Sequence, residues 1–363
     1  MSAPTMPAVA VHPGTPHSLH LTELPRPEPG PGQVLVRVKR VGVCGTDREI
    51  IEGDFGTPPP GERELVLGHE ALGEIAAVGP DVAGWTIGDL VVDTVRRPGP
   101  CAACQSGQSD MCSDLEYTEY GIIGRHGYMT ELFVEEPDHL VRVPADLEAV
   151  GILTEPLSVV EKALQQANLI QRRISTWNPK TALVLGAGPI GLLGTLLLRS
   201  RGMDVVTVAR RSAPNAPSRL IAGAGARYAS VRETTLADIA AELPPIDLIF
   251  DAAGNAALVF EAMRVLGNNG VIVLLSITAG PEVEPAPLNL IVREFVLGNK
   301  VAVGSVNSSK EHFELAVDDL ALFERLWPGL VGQAITRRLN GFADWRRIND
   351  REPDGIKTVI EVG

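Results

Sequence analysis

The sequence predicts a two-part α/β protein: a half built of short strands and loops, then a doubly wound parallel sheet. Three observations predict it. Before residue 150, apolar positions alternate with a period of two, and glycine and proline punctuate them densely. Beyond "WNPK" (177–180) compact runs of Val, Ile and Leu alternate with helical stretches, the grammar of buried parallel strands. The first of those runs leads directly into a glycine turn of fixed spacing.

Taken in order, "QVLVRVKRVGV" (33–43) sets Val34, Val36 and Val38 against Leu35, Arg37 and Lys39, a strand with one buried face. "LGEIAAVG" (72–79) and "GDLVVDTV" (88–95) are further short strands. "EPLSVVEKALQQANLIQRR" (155–173) is the first long helix, with Leu157, Val160 and Leu164 on one face. "ALVLG" (182–186), "DVVTVA" (204–209), "DLIFDAAG" (247–254) and "GVIVLLS" (270–276) are the buried strands, with helices such as "NAALVFEAMRVLGN" (255–268) between them. "NKVAVGS" ends the sheet near 305, and the mixed tail from 306 to 363 is expected to pack back on the first half.

The chain has 363 residues, enough for about two domains, and 45% are hydrophobic. A net charge of −13 argues against nucleic acid and anionic membrane surfaces as partners. "MSAPTMPAVAVHPG" lacks a basic stretch followed by an apolar block, so a cytoplasmic protein is expected. In that reducing setting the four cysteines, Cys44, Cys101, Cys104 and Cys112, are expected as metal ligands or buried thiols. "TALVLGAGPIGLLGTLLL" (181–198) is uncharged and long enough to span a bilayer, but its glycines and Pro189 fit a strand, turn and helix better.

Gly186, Gly188 and Gly191 of "LVLGAGPIGLLG" form G-x-G-x-x-G, enclosing Pro189 and Ile190. The first glycine permits the turn, the second the approach of a pyrophosphate, and the third close packing of helix on strand. The helix N-terminus offers unpaired N–H groups to the phosphates. Ala253 and Gly254, closing a later strand, are further cofactor-binding candidates. Where an NAD site places an acid, this chain has Ala209, Arg210 and Arg211. Guanidinium groups pair with a 2′-phosphate, so NADP is expected with NAD weaker; the plain alternative is a solvated turn.

Cys44, Thr46, Asp47, His69 and Glu70 sit close together in a chain with only 4 cysteines and 7 histidines. Singly each has an ordinary reading, a buried thiol, a core histidine or a surface acid. Beside a dinucleotide fold they suggest a metal, because hydride transfer from an alcohol needs something to polarise its oxygen.

The blocks "GVCGTDREI", "VLGHEALG", "RRPGPCAAC", "GYMTELF", "GILTEPLSVVEKA" and "VGSVNSSKEHFELAVDDL" resemble the zinc-dependent medium-chain dehydrogenase/reductase superfamily, and within it the microbial glucose dehydrogenases. The resemblance spans nearly the whole chain. It implies a GroES-like catalytic domain from 1–172 and 306–363, a Rossmann domain at 173–305, and an active site in the cleft. It implies a catalytic zinc held by Cys44, His69 and Glu70, with Glu155 as a further ligand or a contact to substrate. Thr46 would accept the substrate proton and Asp47 would orient the histidine. Glu49 has the look of an exposed helix residue.

By the same resemblance Glu119, Glu155 and Asn307 line a sugar pocket. Val95 and Val159 stand where glucose-oxidising relatives can carry Asn and Asp, which raises a modified sugar or cyclitol as the substrate. The superfamily's structural zinc lobe has four thiolates, whereas Cys101, Cys104 and Cys112 make three, with Gly107 near the missing one. Either zinc binds with Asp110 or another oxygen completing the set, or the lobe is vestigial. Relatives are dimers or tetramers, which implies a homo-oligomer. The resulting expectation is an NADP-preferring, zinc-dependent sugar or polyol dehydrogenase forming a lactone. Its rivals are a zinc-free enone or quinone reductase and a non-catalytic dinucleotide sensor.

Overall fold

The computed structural model describes residues 4–277 and 286–363. In chain order it begins with β1 (Thr5–Val11), β2 (His20–Pro25), β3 (Val34–Val43), α1 (Gly45–Glu52), β4 (Leu65–Val66), β5 (Glu70–Val78) and β6 (Leu90–Asp93). Then come β7 (Arg96–Arg97), α2 (Ala102–Gln105), β8 (Thr118–Tyr120), β9 (Gly124–Arg125), β10 (Leu132–Glu135), β11 (Leu140–Arg142) and α3 (Thr154–Gln171). The parallel sheet and its helices follow as β12 (Thr181–Leu185), α4 (Pro189–Ser200), β13 (Asp204–Ala209), α5 (Ala216–Gly223), β14 (Arg227–Ser230), α6 (Leu236–Ala241) and β15 (Ile246–Asp251). The chain continues with α7 (Ala256–Val265), β16 (Leu266–Leu274), α8 (Leu288–Gly298), β17 (Val301–Gly304), α9 (Lys310–Leu326), β18 (Ile335–Asn340) and β19 (Lys357–Glu361).

Two compact units divide the chain. One holds the chain up to Ser158 with Asn307–Leu320 and Ile335–Gly363; the other holds Val159–Val306 with Ala321–Ala334. By these contacts α3 is shared between the units, Asn307 begins the return to the first, and Ala321–Ala334 groups with the second. Long helices carry this in part: α3 and α9 each contribute residues to both units, whereas the division between Val306 and Asn307 lies in the loop from β17 to α9.

In the first unit the main sheet runs β11-β6-β5-β3-β19-β18, with β10 also pairing β3. The chain's last strand, β19, pairs antiparallel with β3, so the C-terminal segment completes a sheet begun some 300 residues earlier. In β3, Val34, Val36 and Val38 are buried, then Val41 and Val43. The inward parity switches because the β3–β5 register shifts between Val38 and Arg40, as a bulge requires. β5 starts at Glu70, directly after His69, which delivers both side chains to one end of the sheet.

In the second unit the sheet is wholly parallel, in the order β14-β13-β12-β15-β16-β17. All five residues of β12 are buried, as expected of a strand covered on both faces. The core joins Leu183, Leu185, Val206, Val208, Ile249 and Ile272 with Leu236, Ile239 and Ala262 from the helices. The strand order reverses at β12, whose neighbours β13 and β15 are reached in opposite directions, and ligands bind beyond the carboxyl end of a strand at such a point. Among the described residues no helix is long and apolar enough to cross a membrane.

Candidate active site

In the first unit, Cys44, His69 and Glu70 each offer a ligand atom, and these atoms lie within 4.8 Å of one another. Cys44 is the residue before α1, in extended conformation. Asp47, in the first turn of α1, is wholly buried; its carboxylate accepts from Cys44 N–H at 2.8 Å and from Gly68 N–H at 3.2 Å. One side chain thus caps the helix and ties the cysteine loop to the histidine loop. The same carboxylate lies 3.6 Å from His69 Nδ1, which takes no hydrogen bond. Burial disfavours charge on His69, but Asp47 outweighs it and lifts the imidazole well above its ordinary range. Burial works against ionised Asp47 too, yet His69 and the backbone N–H bonds hold its carboxyl below the usual value.

Glu70 is buried and paired with Lys357, which is equally buried at the start of β19. Both of its oxygens lie against the ammonium, Oε1 accepting its hydrogen bond and Oε2 sharing the ion pair. Burial lowers the lysine's affinity for its proton, and the charges of Glu70 and Cys44 more than restore it. The pair is possible because residue 42 is glycine: a Cβ there would stand 2.0 Å from Glu70 Oε2 and 2.9 Å from Lys357 Cε. Glu155, in the first turn of α3, lies outside the three-donor group; burial, then the negative charge of Glu70, pushes it up to about 7. Thr46 sits on α1 two residues beyond Cys44, partly exposed. A partly buried thiol with a buried imidazole and a buried carboxylate, their ligand atoms within 4.8 Å of one another, is a donor set that suits zinc.

Glu119 and Asn307 meet directly, Asn307 Nδ2 donating to Glu119 Oε1 at 2.7 Å. Arg96 donates to the same oxygen at 3.0 Å, and Asn307 is held in the left-handed region at φ 58. Val95 is 2% exposed, whereas Val159 is partly exposed in the second unit.

The three lobe cysteines also gather, their sulfurs within 4.8 Å. The carboxylate beside them is Asp114, whose Oδ1 accepts from Cys112 at 2.9 Å; Asp110 is buried nearby in sequence. Backbone N–H groups of Cys104 and Ser113 draw the Cys101 thiol down to about 6, and Asp114 pushes Cys112 up to about 12. Gly107 faces open space.

In the second unit a cavity of about 1110 Å³ opens at the end of β12, lined by Gly186, Gly188, Arg210, Ala253, Gly254 and Glu261 among others. Gly186 has φ 97, and a Cβ would stand 2.5 Å from Ala252 O. At Gly191 a Cβ would stand 2.1 Å from Gly186 O, so only glycine lets α4 pack on the turn. At Gly188 it would meet nothing within 4 Å, leaving that backbone open to a ligand. Pro189, Ile190 and Arg211 are not among the lining residues, so of the two expected arginines only Arg210 faces the cavity. The open backbone at Gly188, the helix N-terminus and a guanidinium with no acid beside it at the end of β13 fit a phosphorylated dinucleotide.

Sequence reading missed Lys357, Gly42 and Arg96. No motif links Lys357 to Glu70 across 287 positions, and a lysine heading a Val- and Ile-rich strand reads as exposed. Arg96 opens the block "RRPGPCAAC", but nothing in its spacing points to Glu119, which the pairing of β7 with β8 sets opposite it.

Residues 30–145 match the family model for the alcohol dehydrogenase GroES-like domain, and residues 148–362 that for the glucose dehydrogenase C-terminus. A glucose 1-dehydrogenase of Methanocella arvoryzae is 41% identical over 360 residues, covering 99% of this chain and 100% of that protein. One from Thermoproteus tenax is 44% identical over 362 residues, covering 98% and 99%. The solved structure of Haloferax mediterranei glucose dehydrogenase in complex with NADP, Zn and gluconolactone superposes with a TM-score of 0.90, at 37% identity and 99% coverage of both chains. Matched along almost its entire length in sequence and fold, the chain belongs to the glucose dehydrogenase family of the zinc-dependent medium-chain dehydrogenase/reductase superfamily.

Proposed function

We propose that this protein is an NADP-preferring, zinc-dependent glucose 1-dehydrogenase, oxidising the C1 hydroxyl of an aldose to a lactone. The observation that carries it is the set of donors Cys44, His69 and Glu70 within 4.8 Å, in a chain that also holds an arginine-edged dinucleotide cavity. A zinc-free reductase has no use for such a set.

Oxidation of the aldose removes a hydride from C1 and a proton from its hydroxyl; NADP, when bound, would supply the hydride acceptor. Zinc supplies, when bound, the Lewis acidity that lowers the pKa of that hydroxyl. Cys44, His69 and Glu70 hold the metal, with Glu155 beside them. Asp47 fixes the His69 ring, and Lys357 balances the buried charge of Glu70. The Thr46 hydroxyl takes the substrate proton. Asn307 and Glu119, clamped together and braced by Arg96, present a rigid polar edge to sugar hydroxyls, each of which is costly to leave unpaired. Arg210 pairs with the 2′-phosphate. The lobe of Cys101, Cys104 and Cys112 takes a structural zinc with Asp114 as its oxygen partner. The enzyme works in the cytoplasm as a homodimer or homotetramer, with the domain limits its family implies.

The test is a panel of aldoses, deoxy and amino sugars, cyclitols, aliphatic alcohols and enones, assayed with both cofactors, alongside metal analysis. Glucose or a near aldose should lead, with NADP, and at least about one zinc per chain should be found, as a catalytic site requires. Cys44→Ala and His69→Ala should nearly abolish turnover and leave NADPH affinity intact. Full activity after verified zinc removal, or reaction of enones alone, would overturn the reading.

A further inference from the structure

A third group of metal-ligating side chains lies in the first unit, made of residues not discussed so far. His12, His20 and Glu64 each place a ligand atom within 4.8 Å of the others. Strand pairing brings them together. In the three-stranded sheet β2-β1-β4, Ala10 lies opposite His20 on one side, and Val11 lies opposite Leu65 on the other. His12 directly follows β1 and Glu64 directly precedes β4, so continuing that register by one step sets His12 opposite Glu64. Alternate residues of a strand share a face, so His12 lies on the face of Ala10, and so do the side chains opposite them.

The backbone then sets the imidazole tautomers. His20 Nδ1 is 2.7 Å from the Ser18 carbonyl oxygen, and His12 Nδ1 is 3.3 Å from the Arg63 carbonyl oxygen. A carbonyl only accepts, so both Nδ1 atoms carry the hydrogen and a neutral ring leaves Nε2 with a bare lone pair. That is the arrangement in which metal-bound histidines are held, with the distal N–H on a carbonyl. His20 Nε2 is buried, takes no hydrogen bond, and lies 3.3 Å from Glu64 Oε1. At that distance the two atoms are bridged by either a second ring proton or a metal ion, and the presence of a further imidazole within 4.8 Å favours the metal. The two rings stack at 5.0 Å with a 26° tilt, which places both on the same side of the site.

We propose that His12, His20 and Glu64 form a divalent-metal site of the N2O type, selecting zinc or a similar first-row ion, with its remaining position open to water. Two imidazoles and one carboxylate favour such ions over magnesium and calcium, which take oxygen ligands. The site clamps three strands at one end of the sheet. It also clamps the loop between His12 and His20, which His12 N–H and Ser18 Oγ already brace at 2.9 Å. That loop rests on the end of α1: His17 N–H donates to Ile51 O, and a Cβ on Gly53 would stand 3.0 Å from Pro16. Since α1 carries Thr46 and Asp47, metal bound here stiffens the support of the catalytic loop without touching substrate.

Zinc titration by calorimetry, on wild-type enzyme already loaded at its Cys44 centre, is compared with a His12→Ala/His20→Ala variant loaded identically. The wild type should take up one more equivalent at micromolar zinc, and zinc should raise its melting temperature where it leaves the variant's unchanged. Glu64→Gln should weaken this equivalent at least about tenfold, as even loss of a ligand's supporting partner does. Both comparisons leave the lobe cysteines intact, so zinc held there cancels. Cobalt separates the sites further: the extra equivalent should show d–d bands and no sulfur charge-transfer band. Should the double variant not fold, Glu64→Gln carries the same comparison. Equal affinity for the extra equivalent in wild type and Glu64→Gln, or an extra equivalent that binds only at millimolar zinc, would overturn the proposal.

Discussion

A single glycine separates an intact buried carboxylate at Glu70 from a displaced one. Gly42 faces Glu70 across the β3–β5 ladder, and its missing Cβ is the space the carboxylate occupies. Gly42→Ala should destabilise by about 1–3 kcal/mol, the range for overpacking a core, and lower zinc content along with kcat/KM. Denaturant midpoints and metal analysis on the same preparation check it. Lys357 presents the complementary case. Removing one partner of a buried ion pair leaves the other charge uncompensated, so Lys357→Met should cost about 3–5 kcal/mol in unfolding free energy. Lys357→Arg, which keeps the charge, should recover much of this, and a neutral effect of Lys357→Met would show that Glu70 does not need the ammonium.

Within the strand–turn–helix of the dinucleotide site, three glycines with one pattern have three different jobs. Gly188→Ala has room for its methyl group, so the protein should fold with unchanged stability while NADP affinity falls, since the methyl fills the approach to the phosphates. Gly191→Ala has no such room and should damage packing of α4 on the turn, visible as a lower melting temperature without cofactor. The next strand end divides the arginine pair. Arg210→Ala should weaken NADP use by about 1.5–3 kcal/mol, the scale of hydrogen bonds to charged groups, and spare NAD. Arg211→Ala should change little, because Arg211 does not line the cavity. Equal losses for both cofactors in Arg210→Ala would remove its role at the 2′-phosphate. Element ends also show where pattern reading slips. The helix expected over 255–268 stops at Val265 and β16 begins at Leu266, four residues before the apolar run that marked it. The strand includes Gly267, Asn268 and Asn269, the last at positive φ, at the point where the β15–β16 register shifts between Ile246 and Leu248.

For the molecule as a whole, acid stability carries the mark of buried charge. Burial and then the positive charge of Arg97 hold His139 down to about 4 from an ordinary 6.5. Between those values the unfolded chain takes up a proton that the folded protein refuses, so this residue's share of stability is lost as pH falls from 6.5 towards 4. His139→Asn should therefore lose less melting temperature than the wild type between about pH 7.5 and about pH 5. An identical loss would show that the imidazole titrates normally. Parallel strands, the glycine turn and the arginine edge were all legible in the sequence, because each rests on local periodicity or on a backbone conformation that few residues adopt. Cys44, Asp47, His69 and Glu70 were legible as a group for a related reason: they lie within 27 positions, and their types are those of a metal centre. The pairing of Lys357 with Glu70, the contact of Asn307 with Glu119 and the gathering of His12, His20 and Glu64 were decided only by the tertiary structure. Those partners meet through strand register and chain return, and a side chain's neighbours across a sheet leave no trace in the spacing along its own strand.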